Sequence, residues 1–311
     1  MRKDRLNRGW GAVLALFCAG VVQCDSGPAA GDDLADVVMT TFYPTKFFAH
    51  TIAGDIVRVE CPVPDGEDPI FWQPSRAILQ RYQKASLIIL NGAEFEKWVE
   101  NASLPKSRMV DASESFKDSF ITFEKTTHSH GLKGEHTHEG VDGHIWLDPL
   151  LAKAQVESIE KALARTFPDF ARHFARNSRS LRENLDLLDR RLGEITSRVK
   201  EAQLFASHPA YNYLARRYGW TVINLDLSPD ETPGDEDLVK LEQAPATAGK
   251  RIILWESAPL ESTVEKLEAR FQAESVVFSP CELLDQSLED AGEDFLSVMI
   301  KNIESLALAV R

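Results

Sequence analysis

Five of the chain's eight histidines fall between His128 and His144, spaced His-x-His-x5-His-x-His-x5-His. A neutral imidazole nitrogen binds zinc, copper or nickel near neutral pH, and so dense a tract reads as metal-binding by composition alone. The competing reading is a solvated, inert tract. The five are of two kinds. His128, His130, His136 and His138 sit among Gly, Lys, Glu and Thr, where nothing predicts a packed element, so residues 126–139 read as a mobile loop. His144 instead runs into Ile145-Trp146-Leu147-Asp148-Pro149, an apolar stretch that must be anchored in a fold.

Further donors stand where strands are expected to end. In open parallel sheets, ligands bind beyond the carboxyl ends of the strands. His208 follows the strand-like Leu204–Ser207 and precedes Pro209, Glu256 follows Arg251–Trp255, and Glu282 and Asp285 follow Val276–Phe278. A lone histidine at a strand end is more often structural. Beside a histidine run and an anchored His144, His208 becomes a candidate ligand. Cys61 and Cys281 either pair as a disulfide, which export would permit, or stay as two buried thiols; as thiolates they would give a soft site.

The elements that must position these residues alternate. Val37–Phe42 reads as a strand, residues 44–53 as a helix, 55–61 as a strand, 75–84 as a helix and 86–90 as a buried strand. Strands alternating with helices imply parallel βαβ units. Residues 169–201 differ: Phe170, Phe174, Leu181, Leu185, Leu188, Leu192, Ile195 and Val199 recur at helical spacing, predicting one long amphipathic helix. Beyond it come strands at 203–207, 221–225, 251–255 and 276–278, a helix at 211–218 stopped by Gly219, and a closing helix at 294–310. The expected fold is α/β, with two lobes built of parallel sheets and joined by one long rigid helix. The division is an N-terminal lobe over 36–168, the linker helix over 169–201 and a C-terminal lobe over 202–311.

Thr40-Thr41-Phe42-Tyr43-Pro44, the loop Val63–Pro69 with Trp72-Gln73-Pro74-Ser75, and Ile89-Leu90-Asn91-Gly92 occur in order. They are followed by Asp142-Gly143-His144-Ile145-Trp146-Leu147-Asp148-Pro149, then Ser207-His208-Pro209-Ala210-Tyr211, then Leu227-Ser228-Pro229. In that order and spacing the chain resembles the zinc/manganese solute-binding receptors of bacterial ABC importers, over nearly its whole length. The resemblance implies a metal held in the cleft between lobes by histidines and carboxylates, with His144 and His208 as two ligands. It also implies delivery to an ABC permease, with no chemistry performed on the metal. A histidine after Asp68-Pro69 and an aspartate before Pro280 would complete the family's set, yet this chain has Ile70 and Ser279 there. Replacement donors are the loop histidines, the carboxylates Glu256, Glu282 and Asp285, or the two cysteines. Zinc is the expected ion, with manganese or another divalent transition metal as alternatives. Two other functions remain open: a metal-binding module without transport, such as an adhesin or zinc buffer, and a zinc hydrolase with Glu256 or Glu282 as base. No HExxH or other hydrolase signature supports the last.

The amino terminus places this chemistry outside the cytoplasm. Arg2, Lys3, Arg5 and Arg8 precede an apolar run, Trp10–Val22, too short to span a bilayer comfortably, so residues 1–23 read as a signal peptide. Val21-Val22-Gln23-Cys24 is similar to a lipoprotein cleavage box, with Cys24 as the lipidated residue and 24–35 as a flexible tether. The expected product is a periplasmic or cell-surface lipoprotein, anchored through Cys24 and monomeric. The whole chain carries a net charge of −13. Removing four basic and one acidic residue with 1–23 leaves 31 basic and 47 acidic residues, or −16. Such a surface argues against nucleic acid and is compatible with drawing cations from dilute solution.

Overall fold

The computed structural model describes residues 36–129, 135–245 and 249–311, with 123–129 and 135–139 described by backbone alone. The proposed signal peptide, Cys24 and the tether lie outside the described residues. In chain order the strands are β1 (Val37–Thr40), β2 (Arg58–Glu60), β3 (Leu87–Leu90), β4 (Met109–Asp111), β5 (Thr122–Ser129), β6 (Glu135–Val141), β7 (Gln203–Ala206), β8 (Val222–Asn224), β9 (Arg251–Trp255) and β10 (Ala273–Val277). The helices are α1 (Tyr43–Ala53), α2 (Arg76–Lys84), α3 (Pro149–Thr166), α4 (Ala171–Val199), α5 (Asn212–Tyr218), α6 (Val239–Gln243), α7 (Glu261–Phe271), α8 (Gln286–Asp290) and α9 (Phe295–Ala309).

Two four-stranded parallel sheets carry the fold, ordered β2-β1-β3-β4 and β10-β9-β7-β8. The inner strands β1, β3, β7 and β9 are buried and apolar on both faces, as parallel sheets covered by helices require. Val38, Leu87 and Ile89 face one apolar cluster, while Val37, Met39 and Ile88 face another with Trp72, Tyr82 and Trp98. The first cluster runs on without interruption through the buried stripe of α4 to Leu204, Ile252 and Leu254 of the second sheet. The expected α/β fold with two parallel sheets and a long helix is borne out. Seven of the eight apolar positions used to predict that helix are buried; Phe170 instead caps its start and is 43% exposed.

The structure adds β4, α6, α7 and α8, which the sequence reading did not contain, and β10 begins at Ala273 rather than at 276; three further departures bear on the site. Helix α3 was not assigned, although Asp148 caps it by accepting the Leu150 N–H at 2.9 Å and Pro149 opens its first turn. The strand expected over 55–61 shortens to Arg58–Glu60, because a 3-10 turn occupies Gly54–Ile56. The histidine tract is not a structureless loop. Its flanks pair as an antiparallel ribbon, β5 with β6, in which His128 stands opposite His136 and Thr126 opposite His138. Thr122, Thr126, Thr127 and Thr137 explain this, since β-branched residues favour extended backbone. His130 and the side chains of all four tract histidines lie outside the described residues.

Candidate metal centre

In each sheet the strand order reverses at one place: between β1 and β3 in the first, and between β7 and β9 in the second. Loops diverge to opposite sides at such a switch point, leaving a crevice at the strands' carboxyl ends. The second switch point carries His208, two residues past β7, and Glu256, the residue after β9. Glu282 follows β10, and His144 follows β6 at the entry to a 3-10 turn over Ile145–Leu147.

These loops bring one ligand atom from each of His144, His208 and Glu282 to within 4.8 Å of one another. The two imidazole centroids are 5.6 Å apart with planes at 74°. His144 Nε2 lies 2.7 Å from Glu282 Oε1, and its Nδ1 lies 2.8 Å from Asp142 Oδ1. Carboxylate oxygens only accept, so in this arrangement both ring nitrogens of His144 donate. Burial works against a charged His144, but the hydrogen bonds and charges of Asp142 and Glu282 prevail and hold it well above the ordinary imidazole range. His208 moves the other way: burial, then the neighbouring His144 charge, hold it below the usual value.

Asp142 is the hub of this region, and the sequence reading gave it no role. Its Oδ1 also accepts the His144 backbone N–H at 3.0 Å, while its Oδ2 accepts from Asn212 Nδ2 at 2.9 Å. Its carbonyl accepts from Tyr213 Oη at 2.9 Å, tying the first residues of α5 to the His144 segment. The only sequence signal for this was its place two residues before His144.

Glu282 is held just as firmly. Asn302 on α9 brackets Ser279, its Oδ1 accepting the Ser279 N–H at 3.0 Å and its Nδ2 donating to the Ser279 carbonyl at 2.7 Å. Ser279 Oγ accepts the Cys281 N–H at 3.1 Å, and Cys281 sits at φ 59°, a left-handed conformation that turns the chain into Glu282. Trp146 Nε1 donates to the Pro280 carbonyl at 2.7 Å, and the Tyr43 N–H to that of Glu282 at 3.3 Å. Ser279 therefore shapes the turn, and the carboxylate comes from three residues later.

The other expected donors fall elsewhere. Glu256 Oε2 stands 4.0 Å from His208 Nδ1 but lies outside the three-residue donor group. Asp285 stands at the N-cap position of the short helix α8 without a side-chain capping bond, and Ile70 packs against the large apolar cluster. Cys61 and Cys281 are free thiols, so no disulfide joins them. Burial first of all pushes both thiols up, Cys61 to about 11, which disfavours the thiolates a soft site needs.

Two parallel sheets and a long helix, with histidine and carboxylate donors gathered in the loops after β6, β7 and β10, form an α/β fold that carries a candidate metal centre. The chain belongs to the family described as zinc-uptake complex component A, periplasmic, whose model matches residues 38–309. It is 30% identical over 301 residues to the zinc-binding lipoprotein AdcA of Streptococcus pneumoniae, covering 94% of this chain but 59% of that relative. It is 26% identical to the high-affinity zinc uptake system protein ZnuA of Bacillus subtilis, covering 94% of this chain and 93% of the relative. Among solved structures, the Zn(II)-bound ZnuA-like domain of pneumococcal AdcA superposes with a TM-score of 0.74 at 27% identity, over 89% of this chain and 99% of that one. The metal-dependent lipoprotein YcdH of B. subtilis gives 0.75 at 26% identity, over 87% of this chain and 97% of that one.

Proposed function

We propose that this protein is an extracytoplasmic receptor that captures a divalent transition metal, zinc first, and hands it to the permease subunit of an ABC importer. It performs no reaction on its cargo. The observation that carries this reading is the donor group of His144, after the ribbon strand β6, with His208 and Glu282, after strands β7 and β10 of the second sheet. Two imidazoles and a carboxylate suit zinc, and they also admit manganese or another divalent transition metal. With bonds of about 2.1 Å in a tetrahedron, zinc donors stand about 3.4 Å apart. His144 Nε2 and Glu282 Oε1, at 2.7 Å, need to part by about 0.7 Å, while the His208 donor, within 4.8 Å of both, draws in by at most about 1.4 Å. Asp142 orients the His144 ring through its 2.8 Å contact with Nδ1, and Glu256 stands 4.0 Å from His208 Nδ1.

The names of the relatives support zinc as cargo and a lipoprotein form. In keeping with these, residues 1–23 are the export signal, Cys24 carries the lipid, 24–35 tether the protein, and a monomer of lobes 36–168 and 202–311 joined by 169–201 does the binding. Among the described residues, no helix is long and apolar enough to cross a membrane. The histidine tract over 126–139 collects metal for the site. The test is competition against a chromophoric chelator, using the mature protein. Zinc binding tighter than micromolar is expected, and His208→Ala should weaken it beyond the about tenfold to hundredfold loss typical of a residue that only orients a ligand. Micromolar or weaker binding in the intact protein would overturn the proposal.

A further inference from the structure

The first sheet's switch point, between β1 and β3, supplies no member of the donor group, and the polar side chains of Thr41, Asn91 and Glu96 are buried there. The turn that leaves β3 is strained. Gly92, Ala93 and Glu94 stand at φ 80°, 52° and 57°, three left-handed residues in succession, two of them with a Cβ. Such backbone persists only where its surroundings hold it. Glu96 does so, accepting the Asn91 N–H at 2.5 Å and the Gly92 N–H at 3.3 Å, with the Thr41 hydroxyl as a third donor. The turn grips the segment that leads into His144. Asn91 Nδ2 donates to the Gly143 carbonyl at 2.9 Å and to that of Gly92 at 3.0 Å, while its Oδ1 accepts from Gln155 Nε2 on α3 at 2.8 Å, so the amide has one orientation. Glu94 Oε2 accepts the Val141 N–H at 3.3 Å. Phe95 lies so close to Gly143 that a Cβ there would meet its ring at 2.7 Å, and it stands edge-on to Trp146 at 5.4 Å between centroids.

We infer that Asn91 is a positioning residue of the metal centre, acting through Gly143 on His144, and that the strained turn over 91–96 is the cradle that seats this ligand. The inference rests on His144 being a ligand of the captured ion. Asp142 orients the His144 ring, but a bond between residues two positions apart fixes that ring only within its own segment. Placing it against His208 and Glu282 requires the segment itself to be located on the fold. From one side Asn212 and Tyr213 of α5 hold Asp142; from the other Glu94 and Asn91 hold the residues before and after it. Gly143 is the point of leverage. Its carbonyl also accepts the Ile145 N–H at 2.8 Å, so a shift of Gly143 moves the backbone on both sides of His144. Among the described residues, Asn91 is the one side chain that donates to it. Left-handed alanine and glutamate, held by a buried acid beside a donor-bearing segment, are the kind of strain found at functional sites rather than in plain connections. The first sheet therefore contributes position where the second contributes donors.

The test compares Asn91→Ala, Glu94→Ala, His208→Ala and the packing variant Ile252→Ala in the mature protein, by zinc competition titration, cobalt absorption and thermal melting. Ile252 is buried near the start of β9, at the end of the strand away from Glu256, so its variant shows what lost stability alone does. Asn91→Ala is expected to lose about tenfold to hundredfold in zinc affinity, the range for a residue that positions a ligand. The d–d bands of its cobalt form should shift, because a displaced imidazole changes the ligand field. Ile252→Ala should melt lower with wild-type affinity and wild-type bands. Glu94 is exposed, so its replacement disturbs folding least. Glu94→Ala should shift the same bands with a loss of less than about tenfold. Wild-type affinity and bands in a folded Asn91→Ala overturn the inference. If Asn91→Ala does not fold, wild-type bands in Glu94→Ala overturn it instead. Equal losses in Asn91→Ala and Ile252→Ala with unshifted bands also overturn it, since they mark a role in folding alone. Wild-type affinity in His208→Ala overturns the reading of the site itself, whatever Asn91→Ala shows, so the two failures are told apart.

Discussion

His144 Nε2 and Glu282 Oε1 meet at 2.7 Å although 138 positions separate them in the chain, and their contact joins the loop after the ribbon to the loop after β10. The nitrogen facing Glu282 is the one left to a metal once Nδ1 is committed to Asp142. A proton and a metal ion therefore compete for the same place between the two side chains.

That competition sets the pH dependence of capture. His144 is raised above its ordinary range by two carboxylates, so around neutral pH it is protonated, and zinc must expel the Nε2 proton. His208 is lowered, is neutral there, and releases none. One proton per zinc should leave near pH 7, and affinity should climb up to about tenfold per pH unit. Calorimetric titration in two buffers of different ionisation enthalpy reads this directly. Identical apparent enthalpies in both would show that His144 carries no proton to lose.

The histidines at strand ends were legible because both signals were local: a proline after His208, an apolar run after His144, and a strand pattern before His208. Glu282 was legible as a position but not as a choice over Glu256, since that depends on a turn held by Asn302 from 23 residues away. Asp142 gained its place through Asn212 and Tyr213, some 70 residues downstream, and no spacing rule reaches that far. The ribbon was misread because histidine and glycine outweighed its threonines. Helix α3 went unassigned although its apolar residues Ala152, Val156, Ile159 and Leu163 recur at three and four.

Glu96 is a buried acid outside the donor group. Glu96, 6% exposed, accepts from the Thr41 hydroxyl and from the N–H groups of Asn91 and Gly92 at the first sheet's switch point. Burial outweighs these bonds and pushes its carboxyl up to about 7. A folded-state value above the unfolded one favours folding fully below about pH 4.5, and the benefit is lost as pH rises through 7. This group alone should make the fold on the order of 3 kcal/mol less stable at pH 8 than at pH 4. Urea unfolding at several pH values checks it: Glu96→Gln should flatten the decline, and an unchanged slope in the variant would mean that Glu96 titrates normally.

Asn302 offers the sharpest separation of site geometry from ligand chemistry, because it is 4% exposed, touches no donor atom, and holds the turn that aims Glu282. Replacing it by alanine removes both bonds to Ser279 and leaves a buried backbone N–H and C=O to find new partners. Each unsatisfied group costs about 1–3 kcal/mol, so a lower melting temperature is expected. The strained Cys281, at φ 59°, depends on the same turn, so Glu282 should lose its fixed aim as well. Zinc affinity should then fall by about tenfold to hundredfold, the range for a residue that positions a ligand. Asn302→Asp keeps the acceptor for the Ser279 N–H and loses the donor, so it should fall between wild type and alanine in both measurements. Lower stability with wild-type zinc affinity would show that the turn serves folding alone, and that Glu282 reaches the ion without it.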